Sequence, residues 1–406
     1  MMKLTEITKE EFDLFAKTLD CQNFFQCGAM KDFFDLNNQE NYLIGLKDHD
    51  GNVKAAALLV YRSSFLGKKM YEATKGFIMD YNDLDLVKEF SQKVYEFIKS
   101  HNGYRLLISP YIPCVKRDTD ANIVEGGFDN RETLKYLEKI GYKNIGVGVQ
   151  VKWDYVLDIN KRTPEELLQS FRPNTRNYIN RTINKFQLEC KDLTYDELGE
   201  FKRITEDTCA RRGFKDKTLD YYQKMFKTFK DDVVFKIVSL NCDTYINVLK
   251  EENKSLEAKI EELSDGPSNI KKKEVMRQDL QNNLRKIEET NKLKEEYGNI
   301  IPLSGAMFML YGREIIYLFS GSYDEYMNFC GQYRIQWEII KYASLHNYDR
   351  YNFFGIMDVF NKDGKDYGVY EFKKGFNGYV EELADVYEYG KGLRYFLYRL
   401  VKLIRR

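Results

Sequence analysis

The stretch YEFKKGFNG, residues 370 to 378, sets Lys373 and Lys374 between two phenylalanines and closes on glycines. A lysine held in a dry cleft is a fixed cation that stabilises negative charge developing on a reacting oxygen. On a surface turn beside a strand it is only solvated, the commonest fate of a lysine. The residues alone leave both readings open. A second basic group, Arg172, Arg176, Arg181 and Lys185, surrounds a helix start expected after Pro173. Arg172 and Arg176, four apart, can share a face. The run reads as an electrostatic seat for phosphates or as a solvated helix face. A third group closes the chain: KGLRYFLYRLVKLIRR carries Lys391, Arg394, Arg399, Lys402, Arg405 and Arg406 without an acid. Leu393, Phe396, Leu397, Leu400, Val401 and Ile404 recur there at helical spacing. Such a helix either lies in a membrane interface or docks its apolar face on the first domain.

Other chemistries have few possible members. His49, His101 and His346 are the only histidines, and the seven cysteines are widely spread without a C-x-x-C pair. A histidine triad or zinc site is therefore not expected, and the thiols read as reduced. The 63 basic and 63 acidic residues cancel, so any attraction to nucleic acid or lipid must be local. The start MMKLTEITKEEF has no apolar core, and no run approaches the length of a membrane span. A cytoplasmic protein is expected, with peripheral contact at the inner face of the cell membrane as one reading of residues 391–406.

The elements that must position these groups alternate between strand and helix. YLIGLKDHDGNVKAAALLVYRSS reads as a hairpin about a D-G turn, DLDLVKEFSQKVYEFIKSH as an amphipathic helix and YRLLISPYIP as a buried strand. A second round follows: TPEELLQSFRPNTRNYINRTINKF is helical, VFKIVSL a strand, IPLSGAMFMLYGREIIYLFSG a hairpin, QYRIQWEIIKYASLHN a helix and RYNFFGI a strand. With 406 residues this gives an α/β (α+β) chain of two tandem GNAT-like acyltransferase domains, 1–152 and 153–390, with residues 391–406 free to pack back on the first. Residues 244–297 interrupt the second domain. Ile246, Leu249, Asn253, Leu256, Ile260 and Leu263 form a heptad seam, DGPSN a turn, and Ile270, Met276, Leu280, Leu284 and Ile287 the returning seam, which is an antiparallel coiled-coil hairpin. As a spacer, a dimer contact or an RNA-binding arm it remains open. The glycine loop that would hold coenzyme A pyrophosphate is missing, as are a Walker loop and a dinucleotide fingerprint. No cofactor is expected, and the acyl group should arrive activated on another carrier.

Six segments in order resemble the Fem family of peptidoglycan-bridge aminoacyltransferases: ATKGFIMD (73–80), FRPNTRNYINRTINKF (171–186), RRGFKDKTLDYYQKM (211–225), GREIIYLFSGS (312–322), YNFFGI (351–356) and YEFKKGF (370–376). The inserted hairpin is similar too. The resemblance implies transfer of glycine, alanine or serine from aminoacyl-tRNA to an amine on a lipid-linked or UDP-linked peptidoglycan precursor. It implies that Lys373, matching the family's F-K-x-x-F lysine, stands at the reaction centre in a channel between the two folds, with Lys374 its surface partner. It further implies acceptor contacts at Lys217 and Tyr221, and at Tyr317 and Phe319, where Phe319 replaces a tyrosine of some members. Arg172, Arg176, Arg181 and Lys185 become the tRNA seat. Ser109 departs from an aspartate that relatives tend to carry. No protein base is evident, and monomer and homodimer stay open. The alternatives are an acyl-coenzyme A N-acyltransferase and a non-catalytic cell-wall assembly protein.

Overall fold

A computed structural model describes residues 2–20, 22–147, 151–264 and 266–404. Cys21, Asp265 of the hairpin turn, and Arg405 and Arg406 of the basic terminus lie outside the described residues. The strands, in chain order, are β1 (Lys3–Glu6), β2 (Asn41–Lys47), β3 (Val53–Phe65), β4 (Lys68–Thr74), β5 (Ile78–Met79), β6 (Gly103–Ser109), β7 (Pro113–Lys116), β8 (Lys143–Asn144), β9 (Trp153–Asp158), β10 (Glu189–Asp192), β11 (Val233–Asn241), β12 (Ile300–Tyr311), β13 (Glu314–Ser322), β14 (Arg350–Ile356), β15 (Tyr379–Leu383) and β16 (Tyr387–Gly390). They form two sheets, ordered β1-β2-β3-β4-β6-β16-β8, with β5 beside β3, and β10-β11-β12-β13-β14-β9-β15-β7.

The two sheets repeat one idea. Among the described residues each holds one parallel pair, β4 with β6 and β13 with β14. A parallel pair needs a crossover, supplied here by the helices Leu84–Ser100 and Gly331–Leu345. The expected division at 152/153 precedes β9, but two short strands are exchanged across it: β7 pairs with β15, and β16 pairs with β6. A shared apolar layer binds the units, bringing Phe24, Phe33 and Leu58 of the first together with Phe201, Tyr222 and Phe235 of the second.

Between β11 and β12 the helices Cys242–Glu262 and Pro267–Tyr297 form the antiparallel hairpin, with arms of 21 and 31 residues. At about 1.5 Å per residue the shorter arm spans roughly 30 Å. Leu249 and Asn253 are buried in its seam, and Asn283 Nδ2 donates to Asn253 Oδ1 at 3.0 Å. The returning seam needs correction: Ile270 and Leu284 are 53% and 51% exposed, whereas Asn283 and Thr290 are buried. The steps run Met276, Leu280, Asn283, Ile287, Thr290, so Leu284 falls one position off the stripe. An apolar-only reading passed over the polar seam residues. Among the described residues, no helix is long and apolar enough to cross a membrane.

Candidate active site

The segment YEFKKGF is a helix rather than a turn beside a strand, spanning Tyr367–Lys374. Gly375 follows because a Cβ there would meet Thr175 Oγ1 at 2.2 Å, so only glycine lets this helix end against Pro173–Asn180. Rings fix its inner side: Phe372 and Phe376 pack on Tyr333, with centroids 4.9 and 6.1 Å away.

Both lysines are inside, Lys373 at 3% exposure and Lys374 at 7%. Lys374 was expected at the surface. It is instead a structural pin, since its Nζ meets Asp120 at 2.6 Å and Glu371 at 3.0 Å and lies 5.0 Å from the Tyr370 ring centroid. Lys373 has a different environment. Its Nζ donates to the carbonyls of Phe354 at 3.1 Å and Gly355 at 2.7 Å. Those carbonyls are available because β14 loses its register with β9 between Asn352 and Gly355. Phe354 sits at φ 59°, a region non-glycine residues rarely occupy, and Asn352 Oδ1 accepts from its backbone N–H at 2.7 Å. A local backbone distortion therefore aims two acceptors at one amine, as is common at functional sites.

Burial lowers the Lys373 pKa to about 7, with the Asp154 charge opposing it. An ammonium has three protons and two are engaged. The third proton of the charged form, or the lone pair of the neutral form, is left for a substrate. Lys373 also lines a cavity of about 530 Å³ with Tyr317, Gln332 and Phe372. Tyr317 donates from its hydroxyl to Gln332 Oε1 at 2.9 Å, leaving that hydroxyl as an acceptor. Burial pushes its pKa up to about 12. Gln332 is itself fixed by Gly321 O at 2.8 Å and Ser322 Oγ at 3.1 Å. Exposed Arg211 and Arg212 complete the lining, tethered to Asp324 at 3.2 Å and Asp366 at 3.3 Å. The cavity is lined by residues 208–373 alone, so it belongs to the second unit and is not a channel between the two.

Several expected residues lie elsewhere. A bulge in β13 pairs Met307 with Phe319 and Phe308 with Tyr317, skipping Leu318. Tyr317 stacks on Phe308, while Phe319 turns to the inter-unit layer beside Tyr221 and Tyr222. Tyr221 packs edge-on against Phe33 of the first unit, 5.3 Å between centroids. Neither lines the cavity. Lys217 is exposed, its Nζ 5.2 Å from the Tyr221 ring centroid. It stands three residues past the lining residue Phe214, hence within about 11 Å of it along the chain.

The basic run is largely engaged. Arg172 pairs with Glu371 and Lys185 with Glu252, each at 3.6 Å. Arg176 Nη1 donates to Gln169 O and Phe171 O, both at 2.7 Å, closing the preceding helix. Arg181 lies over the Phe186 ring at 5.2 Å. Lys286 of the hairpin joins them: burial first, then repulsion from Lys185, lowers its pKa, with Arg181 adding to the effect.

Behind Lys373 is a buried charge array that sequence reasoning missed. Asp154 is 1% exposed, and its Oδ2 accepts from Asn352 Nδ2 at 3.1 Å, while Oδ1 has no hydrogen-bond partner among the described residues. Burial raises its pKa, with Lys75 and Lys373 opposing. Lys75, also buried, belongs to the first unit and lies 5.4 Å from the Tyr111 ring centroid. Arg350 bridges Glu314 at 2.7 Å and Glu381 at 2.8 Å. The three carboxylates Asp154, Glu314 and Glu381 are matched by Lys75, Arg350 and Lys373 itself, which is what makes such burial tolerable. The available signal was a charged residue inside an apolar strand, Asp154 in WDYVLD.

The FemAB family model matches residues 7–403. The chain belongs to the FemAB family. Aminoacyltransferase FemA of Staphylococcus aureus is 30% identical over 393 residues, covering 94% of this chain and 93% of FemA. Aminoacyltransferase FemA of Staphylococcus epidermidis is 29% identical over 418 residues, covering both chains fully. The crystal structure of FemX superposes with a TM-score of 0.78 at 23% identity, covering 98% of this chain and 100% of FemX. The fold is thereby shown to be that of FemX, two tandem α/β units each built on a mixed sheet, as the alternating elements imply. The resemblance carried by the six segments is borne out.

Proposed function

We propose that this FemAB aminoacyltransferase moves glycine, alanine or serine from aminoacyl-tRNA to an amine on the stem peptide or growing bridge of a peptidoglycan precursor. The observation that carries the reading is Lys373: buried, held by two backbone carbonyls, and lining a cavity large enough for an aminoacyl group. The acceptor amine attacks the ester carbonyl, a C–N bond forms, and the oxygen that gains charge takes the remaining Lys373 proton as a hydrogen bond. Collapse breaks the ester C–O bond. The proton lost by the amine ends on the departing ribose oxygen, relayed through the vicinal ribose hydroxyl. Tyr317 accepts a hydrogen bond from the substrate in the cavity. Lys217, on the loop leading from the cavity rim, holds the acceptor's phosphates, with Tyr221 as a stiff support rather than a contact. Arg181, Lys185 and Lys286 seat the RNA, and Arg172 contributes where phosphate displaces Glu371. Peripheral contact with a membrane through residues 391–406 suits a lipid-linked acceptor.

A matrix of charged tRNAs against lipid-linked and UDP-linked precursors, read by product mass, tests the reading. One donor class should add a single residue mass to a precursor, and a donor lacking the vicinal hydroxyl should fail. No product under any pairing would overturn the proposal. Normal turnover with the deoxy donor would overturn the relay alone.

A further inference from the structure

The helix Leu393–Ile404 has two unlike faces. One is docked on the first sheet: Tyr395 is buried, and Tyr398 packs on Phe65 and Tyr104 with centroids 5.7 and 5.8 Å away. Arg399 and Arg105 both reach the fully buried carboxylate of Glu388. On the opposite side Leu393, Phe396, Leu400 and Ile404 are 72%, 57%, 40% and 83% exposed. Steps of three and four place them on one stripe. Leu66, 58% exposed, lies alongside, its carbonyl accepting from Arg394 Nη1.

Four large apolar side chains in one exposed row invite a partner, and the surrounding charge selects it. Residues 391–404 contain no acid, Lys391 and Arg394 are exposed, and the neighbouring Glu388 is neutralised by two guanidiniums. RNA would use the cations and the Phe396 ring but leave Leu393, Leu400 and Ile404 unexplained, since leucine and isoleucine offer neither stacking nor phosphate contacts. We infer that this outward face rests on an anionic lipid bilayer, its apolar row at the headgroup–acyl boundary and its cations among the headgroups. The docked tyrosine face orients the enzyme, presenting the first sheet to the membrane. From the functional reading the inference takes only the membrane contact, and its test reads binding without transfer.

Flotation of the full chain with phosphatidylcholine vesicles, with and without phosphatidylglycerol, tests it. Wild type should float with the anionic vesicles. The triple variant Leu393→Ser, Phe396→Ser, Leu400→Ser should lose at least about tenfold in partitioning, and Lys391→Gln or Arg394→Gln about fivefold each. The three sites of the triple variant are exposed, so its Tm should not move. Three outcomes overturn the inference: no flotation with anionic vesicles, equal flotation with phosphatidylcholine alone, or a triple variant that floats like wild type. A protein that transfers to a UDP-linked acceptor yet never floats would refute the membrane face and leave the functional reading standing. Loss of tRNA binding by the triple variant without any flotation would assign the face to RNA instead.

Discussion

Adjacent lysines with nearly equal burial have opposite parts. Lys374 is matched by two carboxylates and a ring, and its pKa is driven up, by hydrogen bonds to Asp120 and Glu371 against burial. Lys374→Met should therefore cost stability, about 1–2 kcal/mol for lost charged hydrogen bonds, seen as a lower Tm with transfer within a few-fold of wild type. Among the described residues Lys373 has no carboxylate in hydrogen-bond reach, so burial takes its pKa to about 7. The unfolded chain then holds a proton that the folded chain has released between about pH 7 and the ordinary lysine value near 10.5. Stability should climb with pH across that window, and Lys373→Met should remove the slope in denaturant titrations. In the pH profile of kcat/KM, Asp154→Asn should move the limb near 7 to lower pH, because the charge that raises the Lys373 pKa is gone. An unmoved limb would separate Asp154 from the site. The sequence singled out Lys373 through its F-K-x-x-F context, but type and spacing do not report burial. That is why Lys374 was misassigned to the surface and Asp154 went unnoticed.

Among the elements, the hairpin shows what patterning can carry. Its position, its antiparallel arms and most of the first seam follow from steps of three and four. The second seam is partly polar: the period bridges a lone Asn253 between apolar neighbours, but loses the stripe where Asn283 and Thr290 both stand in it. The Asn253–Asn283 bond makes a specific prediction: Asn253→Ala removes one of the two acceptors of the buried Asn283 amide, leaving Glu252 Oε2 at 3.2 Å, and should cost about 1 kcal/mol in the unfolding free energy, whereas replacing both by leucine should restore stability while loosening the register that the polar pair specifies. Strand β14 shows the opposite limit. RYNFFGI reads as a regular strand, yet its break at Phe354 creates the Lys373 acceptors, and nothing in residue types alone marks a non-glycine residue for positive φ.

Across the whole molecule, two mixed rounds were legible because a helix between strands calls for a crossover. The exchange of β7 and β16, and the apolar layer joining the units, were not, since both depend on contacts between residues far apart in the chain. That layer predicts one cooperative unfolding transition rather than two, and Phe201→Ala should lower it by about 3–5 kcal/mol without splitting the calorimetric peak. Lys75 of the first unit also interacts through its charge with Asp154, Glu381 and Glu314 of the array behind Lys373, so residues of both units set its electrostatics. The Lys373 amine at the cavity wall is the group on which the proposed transfer depends. Single-turnover transfer from charged tRNA to a peptidoglycan precursor by Lys373→Met, with its fold verified by circular dichroism, is the direct measurement. A loss of about 100-fold or more in a folded variant is predicted, and transfer within a few-fold of wild type would contradict it.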